Sequence, residues 1–358
     1  MKNELKHQHT NFTDTKAKIL VYGVLGYTGD LFVEHALDTN LPIVLGARQK
    51  EVKILAEKCG MEHRVFEIND VQNIIPYLSD IKAVINLANV SYGINKYLID
   101  ACIQTKTHYV DLASEYPDIL EIYKLQHMAL TNGVMLMPGA GFNLAPTDIA
   151  GRIASELLPN PTKLSLGFAT FGNASRGTIK TVLKMTTETG YSRQSGKLIV
   201  AKPASEKRLF QAEGKEYSLI NNPLMGDSLT GFISTNIQNI TTYSYYPWIL
   251  IQFMKGRMNW LRKFLLRYSH WFFPLGPTED ELKRQHTYTW AQIENQQNQR
   301  LSVIIKGPQA YIFTVKTIGN IVSLLAKGKA NAGFTPPSFY GRNLIEGIEG
   351  TQITIVNE

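Results

Sequence analysis

Short apolar runs alternate with helix-like stretches through the first part of the chain. The runs at residues 18–22, 41–46, 64–68, 82–86, 108–111 and 134–137 read as strands. Residues 31–37, 50–59, 71–78, 94–104 and 117–131 between them read as helices. Strand and helix alternating at this spacing build parallel βαβ units, so the expected fold class is α/β, with a doubly wound parallel sheet of the Rossmann kind. A further helix carries Pro146 in its first turn and stops before Pro159 and Pro161.

The rhythm changes at Thr162. Residues 163–170 alternate like a strand with one wet face, and Gly172-Asn-Ala-Ser-Arg-Gly-Thr178 opens a helix. Residues 287–293 and 301–306 look like antiparallel strands, and 311–326 reads as a strand that continues as a helix. These elements predict a second, α+β domain on a mainly antiparallel sheet. The expected division is a polar tail at 1–15, the Rossmann domain at 16–150, a substrate or oligomerisation domain at 151–330, and a segment at 331–358 that returns to the first domain.

Composition narrows the classes. With 44% hydrophobic and 19% charged residues, the 358-residue chain can bury a core. The net charge of +7 is spread rather than striped, which suits an anionic ligand or an acidic surface and gives no nucleic-acid signature. Cys59 and Cys102 are far apart and the histidines scattered, so neither a disulfide framework nor a metal site is expected. The first residues hold no apolar signal region, and no run reaches spanning length, so a cytoplasmic protein is expected.

In doubly wound sheets, ligands bind beyond the carboxyl ends of the strands. There the first strand ends in Gly23, Gly26 and Gly29, with Leu25, Tyr27 and Thr28 between them. Gly23 permits the turn, Gly26 lets backbone approach a pyrophosphate, and Gly29 lets the next helix pack close. The second strand ends in Gly46-Ala-Arg48, with no acid to hold a ribose 2′-hydroxyl. A guanidinium there pairs a 2′-phosphate, so NADP(H) is the expected cofactor. Asp70 follows the third strand, either near the adenine or as a helix N-cap. Leu87 and Ala88 follow the fourth, where the nicotinamide ribose passes. Candidate proton donors beside it are Tyr92, Tyr109, Asp111 and Glu115. The last two have an alternative role in capping or holding a loop. Ser175, Arg176 and Thr178 form either an anion seat or a helix cap.

Residues 244–275 stand apart. Trp260, Leu261, Phe264, Leu265, Tyr268, Trp271 and Phe272 recur at three and four, accompanied by Arg257, Arg262, Lys263 and Arg267. Such a basic amphipathic helix lies in a membrane interface, covers the cleft or meets a dimer partner.

Together these motifs resemble the saccharopine dehydrogenase-like oxidoreductases, in particular the branch labelled trans-acting enoyl reductases. The resemblance is carried by Gly23-Val-Leu-Gly-Tyr-Thr-Gly29, Gly46-Ala-Arg48, Thr107-His-Tyr-Val-Asp-Leu-Ala-Ser-Glu115, Gly141-Phe-Asn-Leu-Ala-Pro-Thr-Asp148 and Ser175-Arg-Gly-Thr178. Gly276-Pro-Thr-Glu-Asp280 and Gly333-Phe-Thr-Pro-Pro337 extend it. It implies NAD(P) use and a second, mostly antiparallel domain, without implying saccharopine as substrate. Val24-Leu25 replaces the usual Ala-Thr, Asn143 a common Asp and Arg176 a common Gly. The last two changes lie near the expected substrate, together with Glu115 and Thr178. The resulting expectation is an NADPH-dependent reductase of a C=C or C=N bond in a lipid-like or acyl-linked substrate. The alternatives are an inert NADPH-binding membrane scaffold and an amino-acid-derived C–N dehydrogenase that uses Arg176 to hold a carboxylate.

Overall fold

In the computed structural model, residues 18–88 and 91–357 are described. The tail at 1–15, and Asn89 and Val90 of the turn after the fourth strand, lie outside the described residues.

The first sheet holds β1 (Lys18–Tyr22), β2 (Ile43–Ala47), β3 (His63–Val65), β4 (Ile81–Asn86), β5 (His108–Asp111) and β6 (Met135–Met137). Helices α1 (Tyr27–Asp38), α2 (Glu51–Cys59), α3 (Val71–Ile74), α4 (Tyr92–Gln104), α5 (Tyr116–Lys124) and α6 (Gln126–Asn132) connect them. The strands run parallel in the order β6-β5-β4-β1-β2-β3. After β3 the chain crosses to β4 on the other side of β1, which creates between β1 and β4 the switch point at which such sheets bind dinucleotides. Ile19, Leu20 and Val21 are shut off from solvent on both faces, as a central parallel strand requires. The expected helix at 117–131 is two helices, α5 and α6, meeting at Leu125.

Helix α7 (Ala145–Leu157) leads into the second half. There follow β7 (Pro161–Thr170), α8 (Arg176–Met185), β8 (Gly190–Gln194), β9 (Lys197–Ala201), β10 (Lys207–Ala212), β11 (Lys215–Asn221), α9 (Asp227–Thr235) and β12 (Asn239–Ser244). Three short helices come next, α10 (Trp248–Met254), α11 (Asn259–Arg267) and α12 (Ser269–Phe272), and then α13 (Glu279–Arg284). The chain closes with β13 (His286–Asn295), β14 (Arg300–Pro308), α14 (Ala310–Ala326), β15 (Gly333–Phe334) and β16 (Gln352–Asn357).

The second sheet runs β10-β11-β12-β7-β13-β14-β16, with β8 on β12 and β9 on β8. Among the described residues it is antiparallel except for the β12–β7 pair. The parallel Rossmann-like sheet and this second sheet together are the expected α/β class. β15 adds a seventh parallel strand beside β6, whereas β16 joins the second sheet.

Three expectations are corrected. β7 has no wet face over its inner length, since residues 164–169 are all buried. Its alternate positions Ser165, Gly167 and Ala169 are small because other chains press on them: a Cβ on Gly167 would stand 3.0 Å from Leu219 and 3.2 Å from Phe210. Residues 310–326 form one helix, opened by the Gln309 side chain accepting from the Tyr311 amide. The basic amphipathic segment is three helices, broken between α10 and α11 at Gly256 and Met258, both with positive φ, and between α11 and α12 at Tyr268.

A single apolar cluster joins both sheets. It contains Ile19, Val21 and Phe32 of the first half together with Leu164, Leu166 and Ile305 of the second. The shared core holds the carboxyl ends of β4, β5 and β6 against the second sheet's connecting loops.

Candidate functional site

The glycine turn is built from backbone constraints. Gly23 sits at φ 93°, and a Cβ on it would stand 2.6 Å from the Ala88 amide nitrogen. The turn therefore presses directly on the strand-end loop that carries Leu87 and Ala88. Leu87 donates its amide to the Tyr22 carbonyl, and the Ala88 amide donates to the Asn86 side chain. A Cβ on Gly29 would overlap the Gly23 carbonyl oxygen and stand 2.5 Å from Val24 Cα, so α1 needs glycine there.

Helix α1 starts at Gly26, which offers no side-chain cap, and its first internal bond is Asp30 N–H to the Gly26 carbonyl. The amides of Tyr27, Thr28 and Gly29 are thus the open donors of the first turn. With the positive end of the helix dipole, they suit a pyrophosphate. A Cβ at Gly26 would meet only the Gly23 carbonyl oxygen, at 3.3 Å, so the outer side of the turn is free for a ligand to approach. Leu25 projects into solvent beside it.

Arg48 is exposed immediately after β2. It lies close enough to the Tyr22 hydroxyl to oppose burial, which still pushes that phenol up to about 12. Asp70 is the N-cap of α3, accepting from the amides of Gln72 at 2.8 Å and Asn73 at 3.2 Å. Of its two sequence readings, the cap is the one found.

Beneath the strand ends lies a closed polar chain. The Tyr109 hydroxyl donates to Asp111 Oδ2 at 2.9 Å and accepts from Asn86 Nδ2 at 3.1 Å. Asp111 Oδ1 accepts the Ala113 amide at 2.9 Å. All three side chains are fully buried. Burial pushes the Asp111 carboxyl up to about 7 and the Tyr109 phenol well above its ordinary value. Tyr92 is half-buried at the start of α4, its amide held by Asp118 at 2.7 Å, and burial raises its phenol too.

Sequence reasoning missed a second cluster. Glu115 is the N-cap residue of α5 and pairs as a β-bridge with Met225 in the loop between β11 and α9. Amides cross the same seam: Tyr116 N–H to Leu224, and Gly226 N–H to Ser114. The seam brings Tyr246 to Glu115, its hydroxyl beside the Ser244 hydroxyl and the Asn222 amide. Burial raises Glu115 and Tyr246 alike. Asn222 Oδ1, Asp227 Oδ2 and the Tyr116 hydroxyl are buried there without a partner among the described residues. Burial takes the Asp227 carboxyl up to about 7, and the Thr147 hydroxyl donates to its other oxygen. Of these residues only Glu115 is marked by a local pattern, because the seam alone brings the others to it.

Asn143 is half-buried in the loop between β6 and α7. Arg176 does not offer a free carboxylate-binding fork. Its Nε and Nη2 donate to the Phe273 carbonyl at 3.1 and 2.9 Å. Thr178 belongs to the cap of α8, where the Ser175 side chain accepts its amide and Tyr311 meets its hydroxyl at 2.8 Å.

Residues 19–135 match the family described as the saccharopine dehydrogenase NADP-binding domain. The first sheet is an NADP-binding domain. The chain is an NAD(P)-dependent oxidoreductase. Its open amides lie at the start of α1, and Arg48 is exposed at the end of β2. The whole fold resembles saccharopine dehydrogenase (L-Glu forming) from Saccharomyces cerevisiae. Identity is 13%, the match covers 96% of this chain and 100% of that one, and the TM-score is 0.59. A probable dehydrogenase from Thermotoga maritima matches at 10% identity, with 88% and 91% covered and a TM-score of 0.42. An oxidoreductase domain protein from Kribbella flavida matches at 11%, with 88% and 92% covered and a TM-score of 0.41. No curated protein matches the sequence. Among the described residues no helix is long and apolar enough to cross a membrane.

Proposed function

We propose that this oxidoreductase uses NADPH to reduce a C=C or C=N bond of a lipid-like or acyl-linked substrate, working at a membrane surface, as the trans-acting enoyl reductase branch would. One observation carries the reading. The Tyr27 hydroxyl donates to the Pro277 carbonyl at 2.7 Å, which ties the phosphate-binding turn to the end of an arm that exposes Trp260, Phe264, Trp271, Phe272 and Leu275. An apolar substrate reaching the strand ends would pass beside those side chains.

NADPH, when bound, supplies the hydride. The amides of Tyr27, Thr28 and Gly29 would hold its pyrophosphate, with Leu25 alongside and Arg48 on the 2′-phosphate. Leu87 and Ala88 would border its nicotinamide end, and Asn143 the substrate. The atom next to the hydride acceptor needs a proton, and Tyr246 holds one at its hydroxyl, backed by Glu115. Tyr92 is the alternative donor. Tyr109 and Asp111, closed beneath the strand ends, keep Asn86 and the Ala88 amide in place. The tie from Arg176 to Phe273 disfavours the amino-acid reading, which needed that fork for a carboxylate.

Purified protein with NADPH is offered a panel of enoyl-acyl thioesters, free enoyl lipids and cyclic imines, and cofactor oxidation is followed by absorbance. Oxidation with an apolar member is the expected result. Tight NADPH binding with no turnover on any member would replace the reductase by the scaffold.

A further inference from the structure

Within the arm at residues 248–275, α11 carries its polarity inverted relative to an ordinary surface helix. In α11 the charged Arg262 is the buried member, only 9% exposed, with Nη1 donating to the Leu183 carbonyl of α8 at 3.1 Å. Trp260 on the same helix is 72% exposed, and Trp271 of α12 is 76% exposed. Phe264, Phe272 and Leu275 also face outward. The rings brace one another, Phe264 standing 5.0 Å from Tyr268 and 5.6 Å from Phe272. Arg176 holds the arm from below through the Phe273 carbonyl. The array is therefore anchored by the buried Arg262 and the half-buried Arg176 and presents aromatic side chains to the outside.

Charge identifies what covers it. The sequence has no Asp or Glu between Asp227 and Glu279. Lys255, Arg257, Lys263 and Arg267 are exposed among the aromatic residues. We propose that this face docks on an anionic lipid bilayer, with the tryptophans at headgroup depth and the four cations on the lipid phosphates and carboxylates. A second copy of the chain fits less well. A two-fold interface sets a patch against itself and would stack those cations without a counter-charge. The inference rests on the proposed function only for the purpose of docking, which is to bring a lipid-like substrate to the NADP-binding domain. The Tyr27–Pro277 tie puts the phosphate-binding turn beside the docked face.

The test is co-sedimentation of the full chain with vesicles of equimolar phosphatidylserine and phosphatidylcholine, against phosphatidylcholine alone, at low and high salt. Sedimentation with the anionic vesicles, weakened by salt, is expected. Trp260→Glu with Trp271→Glu, and separately Lys263→Glu with Arg267→Glu, should each reduce binding by about tenfold or more. These exposed positions leave the fold and NADPH binding unchanged, which circular dichroism and NADPH titration check. No sedimentation of the wild type, or sedimentation of both variants as strong as that of the wild type, overturns the proposal. So does a wild-type dimer that the tryptophan variant converts to monomer, which would make the face a self-interface. No substrate enters this assay, so vesicle binding without NADPH turnover would sink the proposed function and leave docking intact.

Discussion

The Tyr27 ring lies against Gly276 so closely that a Cβ on the glycine would fall within the ring, while the Tyr27 hydroxyl donates to the Pro277 carbonyl. Tyr27 also stands edge-on to Tyr311 at 5.0 Å, and Tyr311 holds the cap of α8. One side chain of the phosphate turn thus touches the arm directly and α8 through a second tyrosine. Gly276→Ala must push the ring aside, and with it the first turn of α1. NADPH affinity should fall on the order of tenfold, the size of a coupling of ~1.4 kcal/mol. In a Tyr27→Ala background the same change should do little, because no ring is left to displace. Titration of the four proteins in a double-mutant cycle checks this, and equal losses in both backgrounds would remove Tyr27 as the link.

On the proposed function, Arg48 selects between the two nicotinamide cofactors. Its guanidinium is exposed at the end of β2, a strand end that itself carries no acid for a ribose hydroxyl. A charge-assisted bond to a 2′-phosphate contributes roughly 1.5–3 kcal/mol. Arg48→Ala should therefore weaken NADPH by about 10–100-fold and leave NADH nearly unchanged. Parallel calorimetric titrations read both constants, and tight wild-type NADH binding would show that Arg48 does not select.

Legibility in the sequence follows how local each constraint is. Gly23 and Gly29 could be read because each serves a backbone need within one turn, and the position of Arg48 follows from the strand before it. Where distant chains decide, the pattern misled. Ser165, Gly167 and Ala169 looked like the solvent side of a strand, yet they are small because Phe210 and Leu219 lie over that face. Tyr311 to Val315 has the β-branched and aromatic content of a strand, but the Gln309 cap and packing of the helix on α1 override that propensity. Gly319 illustrates the packing: a Cβ there would stand 2.5 Å from the His35 ring. Tyr246, Asn222 and Asp227 had no local signal, since only the seam through Glu115 and Met225 brings them to the strand ends.

Two buried carboxyls give the fold a pH signature. Burial lifts Asp111 and Asp227 from an ordinary 3.8 up to about 7. Between those values the folded chain keeps protons that the unfolded chain has released. The linkage sign is then fixed: stability falls as pH rises through this window and levels off above it, by up to about 4 kcal/mol per group. Urea unfolding at about pH 5 and about pH 8 should give the lower midpoint at the higher pH. Asp227→Asn keeps an oxygen for the Thr147 hydroxyl and cannot ionise, so the gap between the two midpoints should shrink. An unchanged gap would mean that Asp227 already ionises near its ordinary value.

Gly26 and Gly29 separate ligand binding from folding within a single turn. A methyl at Gly29 meets backbone, the Gly23 carbonyl oxygen and Val24 Cα, and neither can rotate away. Gly29→Ala should move α1 off the sheet and destabilise the chain by about 3 kcal/mol or more. A methyl at Gly26 has only the Gly23 oxygen in reach, at 3.3 Å, and the residue already holds an ordinary extended φ of −86°. Gly26→Ala should therefore unfold at nearly the wild-type temperature. Its methyl stands where the pyrophosphate must approach the Tyr27, Thr28 and Gly29 amides, so NADPH binding should drop by at least about tenfold. Thermal melts with and without NADPH separate the two effects: Gly26→Ala keeps its melting point but loses the shift that the cofactor gives the wild type. A Gly26→Ala protein that NADPH stabilises as much as the wild type would place the pyrophosphate elsewhere.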